Sequence, residues 1–327
     1  MQYLEIPLDE QDGYRYHQSF SIDQVESAEA LEFFETYGVL IIRDALDSSQ
    51  VQGLADDMDD FLVSHGRGLS HFGMPKGINA LFSPTLLRLR QDENIVRALR
   101  AALGVEDVVV SHDRWLMHRP GAKTRRNLHL DFNPFDYFDL HNEMKSGVSS
   151  RQQINSRLDS LRYGSNDRAF IAENNDIHQS MGPCVQAIVN LTDLTDASCG
   201  GTILVPGSHR ALRDFFVDGR RVDETQRCVG PMQYRFDSAE VHNMAQHVKA
   251  RAGSLLVWDQ RVIHGSTPNL SDSQTRRAVP IRAFSGTVLS SKRAKGRGEA
   301  IARKIRECSF QDQVTETGRQ VFGLTLR

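Results

Sequence analysis

The chain has 327 residues, of which 39% are hydrophobic and 25% are charged, which is the composition of an ordinary globular protein. Its formal net charge of −3 argues against a dedicated nucleic-acid-binding protein, and no apolar run reaches the length of a membrane span. The N-terminus lacks the basic start and apolar core of a signal peptide, and the four cysteines show neither zinc-ligand spacing nor a disulfide framework, so we expect a cytoplasmic protein with free thiols.

The N-terminal part of the chain is predicted to be mainly helical. Periodic apolar positions predict helices over residues 24–36, 47–65 and 95–103. The capping cluster Asp47-Ser48-Ser49 marks the start of the second helix, and Gly104 marks the end of the third. A β-branched run over residues 38–43 predicts a short strand between the first two helices.

Most of the remaining chain is predicted to form short strands separated by turns rich in Gly, Pro and Ser. The predicted strands cover residues 108–110, 115–117, 127–132, 186–191, 202–205, 254–258 and 278–284. The predicted helices come first in the chain and the predicted strands follow. This order predicts a mainly β fold with flanking α-helices, as in a barrel or jelly roll. Because neither an internal repeat nor a low-complexity linker is evident, residues 1–327 are predicted to form a single domain.

Two segments stand apart from the strand pattern. Residues 141–183 form a polar insertion, which we interpret either as a lid that closes over a substrate or as a solvated surface excursion. Residues 290–327 form a basic C-terminal extension. Its run from Lys292 to Arg297 could bind an anionic partner, but a solvated helix face is the favoured interpretation.

His129 and Asp131 form the most informative pair in the sequence. They are two positions apart in a predicted strand, so their side chains share one face, and His264 lies in a second strand-like run. Two His and one carboxylate on one side of a metal leave the opposite positions open, which is the arrangement of non-haem Fe(II) oxygenases. The chain contains 12 His and 42 Asp plus Glu, so a His-X-Asp pair alone could arise by chance. The surrounding sequence is therefore needed to identify the pair as metal ligands.

The context includes an arginine on the strand that follows His264. Such an arginine can bind one end of a dicarboxylate such as 2-oxoglutarate, because the planar guanidinium matches a carboxylate with two hydrogen bonds. Arg276 and Arg277 are both candidates. Neighbouring residues of a strand point to opposite faces, so only one of the two can serve.

Several segments together resemble the phytanoyl-CoA dioxygenase family of Fe(II)/2-oxoglutarate-dependent oxygenases. They are the opening strand-like run 33–46, the run 117–121 followed by His129 and Asp131, the runs 185–193 and 200–210 with their Pro-Gly-Ser-His-Arg turn, and the run 252–259 leading to His264 and Arg276. In order and spacing the resemblance covers roughly residues 25–285.

The resemblance implies a double-stranded β-helix core, a cupin-like jelly roll, packed by the N-terminal helices. It implies that His129, Asp131 and His264 are iron ligands, that Arg276 rather than Arg277 anchors 2-oxoglutarate, and that Ser266 assists at the same carboxylate. Fe(II) would be the cofactor, with 2-oxoglutarate and O2 as cosubstrates. The implied reaction is hydroxylation of an unactivated C–H bond, with release of succinate and CO2.

Alternatives remain at this point. Asp131 argues against halogenation, because related halogenases have a small residue there, but desaturation, cyclisation and epimerisation begin with the same hydrogen abstraction. A non-catalytic metal-binding β-barrel is a rival from another class. A zinc hydrolase also uses two His and a carboxylate, but no general base is evident and hydrolysis would not need Arg276. A dehydrogenase is disfavoured, because no Gly-X-Gly-X-X-Gly turn follows a strand.

The substrate is expected to be a small molecule, amino acid-like or a specialised metabolite, and neither nucleic acid nor a membrane is an expected partner. The candidate pocket residues are Arg119, Phe132, Phe135, Gln186 and Asn190. The two aromatic residues fit core packing equally well.

Basic residues before the metal strand bear on the same question. Arg119, Lys123, Arg125 and Arg126 cluster there and favour a substrate with a carboxylate or phosphate. Among the other histidines, His112 and His118 are candidates to line the pocket, and His209 is interpreted as a turn residue.

Overall fold

The computed structural model describes residues 4–325 except 12, 66–67, 71, 77–78, 122–123, 133, 135–155, 157, 164–168, 171–172, 174–182, 218–226 and 229–233. The predicted pocket residue Phe135, the basic Lys123 and most of the 141–183 insertion therefore lie outside the described residues.

The predicted N-terminal helices are confirmed. They are α1 (Ala28–Tyr37), α2 (Ser48–His65) and α4 (Glu93–Leu103), and a further helix that was not predicted, α3 (Pro84–Arg90), lies between α2 and α4. The Ser27 hydroxyl caps α1 by accepting from the backbone N–H of Ala30, and α4 ends at Gly104, whose φ of 65° is left-handed and suits a residue without a Cβ.

Fourteen strands are described. They are β1 (Leu8–Gln11), β2 (Tyr14–His17), β3 (Val39–Ile42), β4 (Val108–Val110), β5 (Leu116–His118), β6 (Asn127–Leu130), β7 (Cys184–Asn190), β8 (Cys199–Leu204), β9 (Arg227–Cys228), β10 (Tyr234–Arg235), β11 (Gln246–His247), β12 (Leu255–Asp259), β13 (His264–Asn269) and β14 (Arg276–Ser285). Eight of the fourteen match the predicted strands to within a few residues at each end, and β13 is the strand-like run that contains His264. The strands β1, β2, β9, β10 and β11 were not predicted.

Most strands fall into two antiparallel sheets, which are open at their edges. Sheet I has the strand order β11-β8-β13-β6-β10-β9. Sheet II has the order β3-β12-β7-β14-β4, and β5 also pairs with β14. A hairpin of β1 and β2 stands apart from both. With the flanking helices, this arrangement confirms the mainly β prediction.

The main hydrophobic core lies between sheet II and the N-terminal helices. Along β7, the alternate residues Val185, Ala187 and Val189 face this layer, where α4 contacts β7, β12 and β14. The intervening β7 residues face sheet I. A second cluster on the outer side of sheet I includes Leu128 and Leu130 of β6. The strand β6 therefore buries apolar residues outward and leaves its polar residues for the space between the sheets.

The helices that follow β8 complete the described fold. They are α5 (Ser208–Val217), α6 (Ala239–Met244), α7 (Ser291–Glu307) and α8 (Glu316–Val321). Among the described residues, no helix combines the length and the apolar character that crossing a membrane requires. Cys184, Cys199 and Cys308 are free thiols, as expected.

The interpretation of the basic run on α7 as a solvated helix face is wrong for two of its residues. Arg293 and Arg297 are 3% and 1% exposed. The Arg297 Nε atom lies 2.9 Å from a carboxylate oxygen of Glu173, and its guanidinium also donates to the carbonyls of Val110 and Phe322. Because its charge is matched by a buried carboxylate and by carbonyl oxygens, this arginine is part of the core.

The described part of the 141–183 insertion includes packed residues as well as the exposed Ser156, Asp159, Ser160 and Arg162. Leu158, Tyr163, Phe170 and Glu173 are all buried, and the Tyr163 and Phe170 rings contact each other at a centroid distance of 5.3 Å. These residues therefore do not form a solvated excursion. The lid interpretation concerns residues outside the described ones and stays a prediction.

Candidate metal centre

Strands β6 and β13 bring the three predicted metal ligands together. His129 and Asp131 project from β6 and the residues just after it, and His264, the first residue of β13, is in register with His129. Asp131 Oδ1 lies 3.3 Å from His129 Nε2, and Asp131 Oδ2 lies 3.7 Å from His264 Nε2. The three ligand atoms lie within 4.8 Å of one another, which is close enough for one metal ion to contact all three.

Hydrogen bonds at the other ring nitrogens orient both imidazoles. His129 Nδ1 is 3.0 Å from the Asn127 side-chain oxygen, and His264 Nδ1 is 2.9 Å from the Val262 carbonyl. Both partners are acceptors, so we assign the proton to Nδ1 in each ring. This tautomer leaves the Nε2 lone pairs of both rings directed toward Asp131, as metal binding requires.

The amide of Asn127 is itself held in place. Its Nδ2 donates to the Ser266 hydroxyl at 3.3 Å, which fixes which end of the amide faces His129. Ser266 was predicted to assist at a 2-oxoglutarate carboxylate. In the structure its described hydrogen bond goes to Asn127, and it lies in register with both Asn127 and Thr202.

The protonation states suit a divalent cation at neutral pH. Burial lowers the pKa of His129, although the nearby Asp131 carboxylate acts in the opposite direction. Burial by itself raises the pKa of Asp131, but the Arg282 guanidinium and the two imidazoles more than reverse this and hold it well below its usual range. A neutral imidazole and an ionised carboxylate are the forms that bind metal.

Arg282 of β14 is a functional residue that the sequence interpretation missed. Its Nη2 donates to Asp131 Oδ2 at 3.0 Å, and its Nη1 lies 3.4 Å from Asp113 Oδ2. Burial alone lowers the pKa of Arg282, but Asp131 and Asp113 raise it overall. A signal was present in the sequence: Arg282 is an even number of positions from Arg276, so both belong to the same face of one strand.

Arg276 lies on the face of β14 that looks toward sheet I. It is 2% exposed, and its Nε and Nη1 atoms have no hydrogen-bond partner among the described residues. Burial lowers its pKa to about 10. Its stem packs over Gly200 of β8, where an added Cβ would lie 3.1 Å from Arg276 Cδ. A buried cation without a partner is unfavourable, so this guanidinium is suited to an anionic ligand.

Arg277, the alternative anchor, points the other way. It is in register with Met117 of β5, and its Nη2 donates to Asp59 of α2 at 2.8 Å. Its guanidinium is thus occupied at the helix-covered side of sheet II. The geometry therefore supports Arg276 as the residue available to a ligand between the sheets.

Other polar groups on the same face of sheet II also lack partners. Gln186 is in register with both Arg282 and Trp258, and Asn190 with Ala278. The Gln186 amide nitrogen, both ends of the Asn190 amide and the Trp258 indole N–H are buried without hydrogen-bond partners among the described residues. Since unpaired buried polar groups are costly, these donors and acceptors fit a polar ligand beside Arg276. The Trp258 ring lies 5.2 Å from that of His264 and was not predicted.

The remaining predicted pocket residues lie elsewhere. Phe132 is fully buried in the outer cluster of sheet I with Leu128 and Leu130, so it fits the core-packing interpretation. Arg119 is exposed, and no contact with the metal centre is described for it.

The basic cluster and the other histidines are also separate from the metal ligands. Arg126 donates to the backbone carbonyl of His242. His118 is in register with Arg276, whereas the His112 ring stacks on Phe82 in the core. His209 lies 3.0 Å from the Glu35 carbonyl through Nε2.

Sequence comparisons connect the chain with a known family. The profile of the phytanoyl-CoA dioxygenase (PhyH) family matches residues 166–278, a range that includes His264 and Arg276 but not His129 or Asp131. A Dictyostelium discoideum protein whose name assigns it to the phytanoyl-CoA dioxygenases is 28% identical over 295 residues, covering 83% of this chain and 79% of that protein. The resemblance expected from the sequence is confirmed.

Solved structures share the fold at low sequence identity. The epimerase SnoN, in complex with Fe3+, alpha ketoglutarate and nogalamycin RO, matches with a TM-score of 0.51 and 17% identity over 79% of this chain and 83% of its own. HygX from Streptomyces hygroscopicus, with nickel and 2-oxoglutarate bound, matches with a TM-score of 0.51 and 17% identity, and the match covers 80% of this chain and 87% of HygX. GIG2 from Candida albicans matches with a TM-score of 0.60 and 15% identity, and the match covers 92% of this chain and 74% of GIG2. The jelly-roll prediction is confirmed.

Proposed function

We propose that this protein is an Fe(II)- and 2-oxoglutarate-dependent dioxygenase that hydroxylates an unactivated C–H bond of a small-molecule substrate. The observation that carries the proposal is the juxtaposition of three ligand atoms within 4.8 Å of one another and a buried, unpartnered Arg276 on the facing sheet. The family match and the relatives named as 2-oxoglutarate-binding structures support it. The free thiols fit the cytoplasmic location that the sequence predicts.

The described residues fit both iron and 2-oxoglutarate. His129, Asp131 and His264 would hold the metal on one side and leave its other positions open. Arg276 would bind the distal carboxylate of 2-oxoglutarate, and the unpartnered amides of Gln186 and Asn190 supply further hydrogen bonds in the same space. Bound iron and 2-oxoglutarate together supply the oxidation of the substrate with O2, releasing succinate and CO2.

The chain's own contribution is orientation and exclusion of water. Asn127 and the Val262 carbonyl fix the two imidazole tautomers, and Arg282 holds one oxygen of Asp131. The buried inner face of sheet II shields the site, which strengthens the electrostatic contacts to a bound anion. Asp131 occupies the position that a halogenase leaves open for chloride, which argues against halogenation. Hydroxylation is the proposed outcome, with desaturation, cyclisation and epimerisation as the alternatives.

The proposal is tested by turnover in the absence of substrate. The purified protein with Fe(II), 2-oxoglutarate and O2 should form succinate slowly, and His129→Ala and Arg276→Ala should abolish this. Arg277→Ala is the matched control and should retain it, because Arg277 faces away from the site. Folded wild-type protein that forms no succinate would favour the non-catalytic metal-binding alternative. Zinc-loaded protein should form no succinate. Succinate formation that depends on Fe(II) distinguishes the proposal from a zinc hydrolase, which would not consume 2-oxoglutarate.

Product mass decides among the reaction outcomes once a substrate is found. Hydroxylation adds one oxygen atom, desaturation and cyclisation remove two hydrogen atoms, and epimerisation leaves the mass unchanged. We expect the addition of oxygen.

A further inference from the structure

An arginine continues the row of residues that carries the metal ligands. In sheet I, Arg235 of β10 is in register with His129 of β6, and His129 is in register with His264 of β13. Directly opposed residues of antiparallel strands project to the same face of the sheet. Arg235 therefore shares the inner face with both histidines, one strand beyond His129.

The charge of Arg235 is not matched by a protein carboxylate. Arg235 is exposed, and none of the described carboxylates lies within ion-pair distance of it. Arg282 differs, because it is paired with Asp131 and Asp113. An unmatched cation beside a site for a divalent cation is electrostatically unfavourable.

An anion between Arg235 and the metal centre removes this repulsion. The planar guanidinium presents parallel N–H donors that match a carboxylate or a phosphate. Arg235 is exposed, so its guanidinium is accessible to a ligand, whereas a buried ion pair would have been closed to one.

This anion is distinct from 2-oxoglutarate. The stem of Arg276 packs on Gly200 of β8, and the strand order in sheet I is β8-β13-β6-β10. The stem of Arg276 thus packs on β8 and Arg235 belongs to β10, two strands that lie on opposite sides of the ligand-bearing strands β13 and β6 and are three strand steps, roughly 14 Å, apart across the sheet. A molecule held by Arg276 would lie on one side of the candidate metal ligands, and a group held by Arg235 would lie on the other.

We propose that Arg235 forms an anion-binding subsite beside the metal centre, which takes the carboxylate or phosphate group of the substrate and places the rest of that molecule over the metal. The identification of the anion as part of the substrate rests on the proposed function, whereas anion binding at Arg235 does not.

The subsite is tested by following the Arg235 side chain directly. Protein with 15N-labelled arginine, loaded with redox-inert zinc and 2-oxoglutarate, is titrated with sulfate and with acetate while the arginine Nε–Hε resonances are recorded. The Arg235 resonance is assigned by its loss in Arg235→Lys. It should shift and saturate with at least one anion, at a concentration about tenfold lower than any shift of Arg319, an exposed arginine paired with Glu316 on α8.

The two anions and a neutral control separate the possible ligands. Saturation by sulfate alone indicates a phosphate-like group, and saturation by acetate alone indicates a carboxylate. Acetamide, the neutral analogue of acetate, should leave the Arg235 resonance unmoved. The proposal is overturned if Arg235 responds to both anions no more strongly than Arg319, or equally to acetate and acetamide.

Failure of the subsite and failure of the proposed function give different results. Binding of 2-oxoglutarate to the same preparation is measured by calorimetry. If 2-oxoglutarate does not bind but Arg235 still saturates with an anion, the proposed function fails and the subsite stands. If 2-oxoglutarate binds and Arg235 behaves like Arg319, the subsite fails alone.

Discussion

Arg282 Nη2 lies 3.0 Å from Asp131 Oδ2, so a partly buried guanidinium holds one oxygen of the carboxylate that faces both candidate ligand histidines. The same guanidinium reaches Asp113 at 3.4 Å, which balances its charge. With Oδ2 engaged, Oδ1 is the Asp131 oxygen that would be available to a metal held by the proposed site.

Arg282→Met should destabilise the metal-free protein by about 3 kcal/mol, because it leaves the buried Asp131 and the partly buried Asp113 carboxylates without their cation. Urea unfolding measures this. Arg277→Met on the same strand is the matched control and should cost less than about 1 kcal/mol, since its partner Asp59 is half-exposed. Saturating zinc should reduce the deficit of Arg282→Met by neutralising Asp131. Equal losses in the two variants would contradict the role given to Arg282.

Asn127→Ala should weaken zinc binding by about 10- to 100-fold, because His129 loses the acceptor that fixes its tautomer. Competition with a chromophoric chelator gives the affinity. Ser266→Ala, which removes only the contact to the far end of the amide, should have a smaller effect. Zinc bound as tightly by Asn127→Ala as by the wild type would show that the tautomer is set in some other way.

Arg276→Met should raise the dissociation constant for 2-oxoglutarate by about 100-fold, since a bidentate charge-assisted contact is lost. The same change should leave zinc affinity intact and should stabilise the metal-free protein, because it removes a buried cation that has no described partner. Calorimetry and urea unfolding measure the two effects. A less stable Arg276→Met protein with unchanged 2-oxoglutarate affinity would assign Arg276 a purely structural role.

The stability of the metal-free protein should fall in mild acid. Burial lowers the pKa of both His17 and His118 from 6.5 to about 4, with neighbouring positive charge as a further cause. Between pH 6.5 and 4 the unfolded chain therefore binds more protons than the folded one, so the free energy of unfolding decreases as pH falls through this window and is fully retained above it.

His118→Gln should remove part of that dependence, about 1 kcal/mol for each pH unit in the window. Urea unfolding at pH 6.5, 5.5 and 4.5 gives the slope for the variant and the wild type. His65→Gln on the exposed end of α2 is the control. A slope unchanged by His118→Gln would mean that His118 does not stay neutral in the folded protein.

The parts of the fold and site that could be predicted are those that depend on a pattern of neighbouring residues in the sequence. Alternation along β6 placed His129 and Asp131 on one face, and the positions of adjacent residues on β14 separated Arg276 from Arg277. Both follow from the two-residue period of a strand, which is visible in the sequence alone.

The contacts that were missed depend on strand order and on distant partners. Arg282 meets Asp113 across 169 residues, and Arg297 meets Glu173 across 124. Arg235 is aligned with His129 because β10 pairs with β6, a strand that is distant in the sequence, as well as with its sequence neighbour β9. Charged residues are usually exposed, so nothing local indicated that Arg293 and Arg297 would be buried.

The most direct test of the central claim is the visible charge-transfer band that forms when Fe(II) and 2-oxoglutarate are added to the protein without oxygen. The band should appear in the wild type and in Arg277→Ala, and it should be lost in His129→Ala and lost or much weakened in Arg276→Ala. Folded, iron-loaded wild-type protein that gives no band with saturating 2-oxoglutarate would contradict the assignment of the metal centre and its cosubstrate.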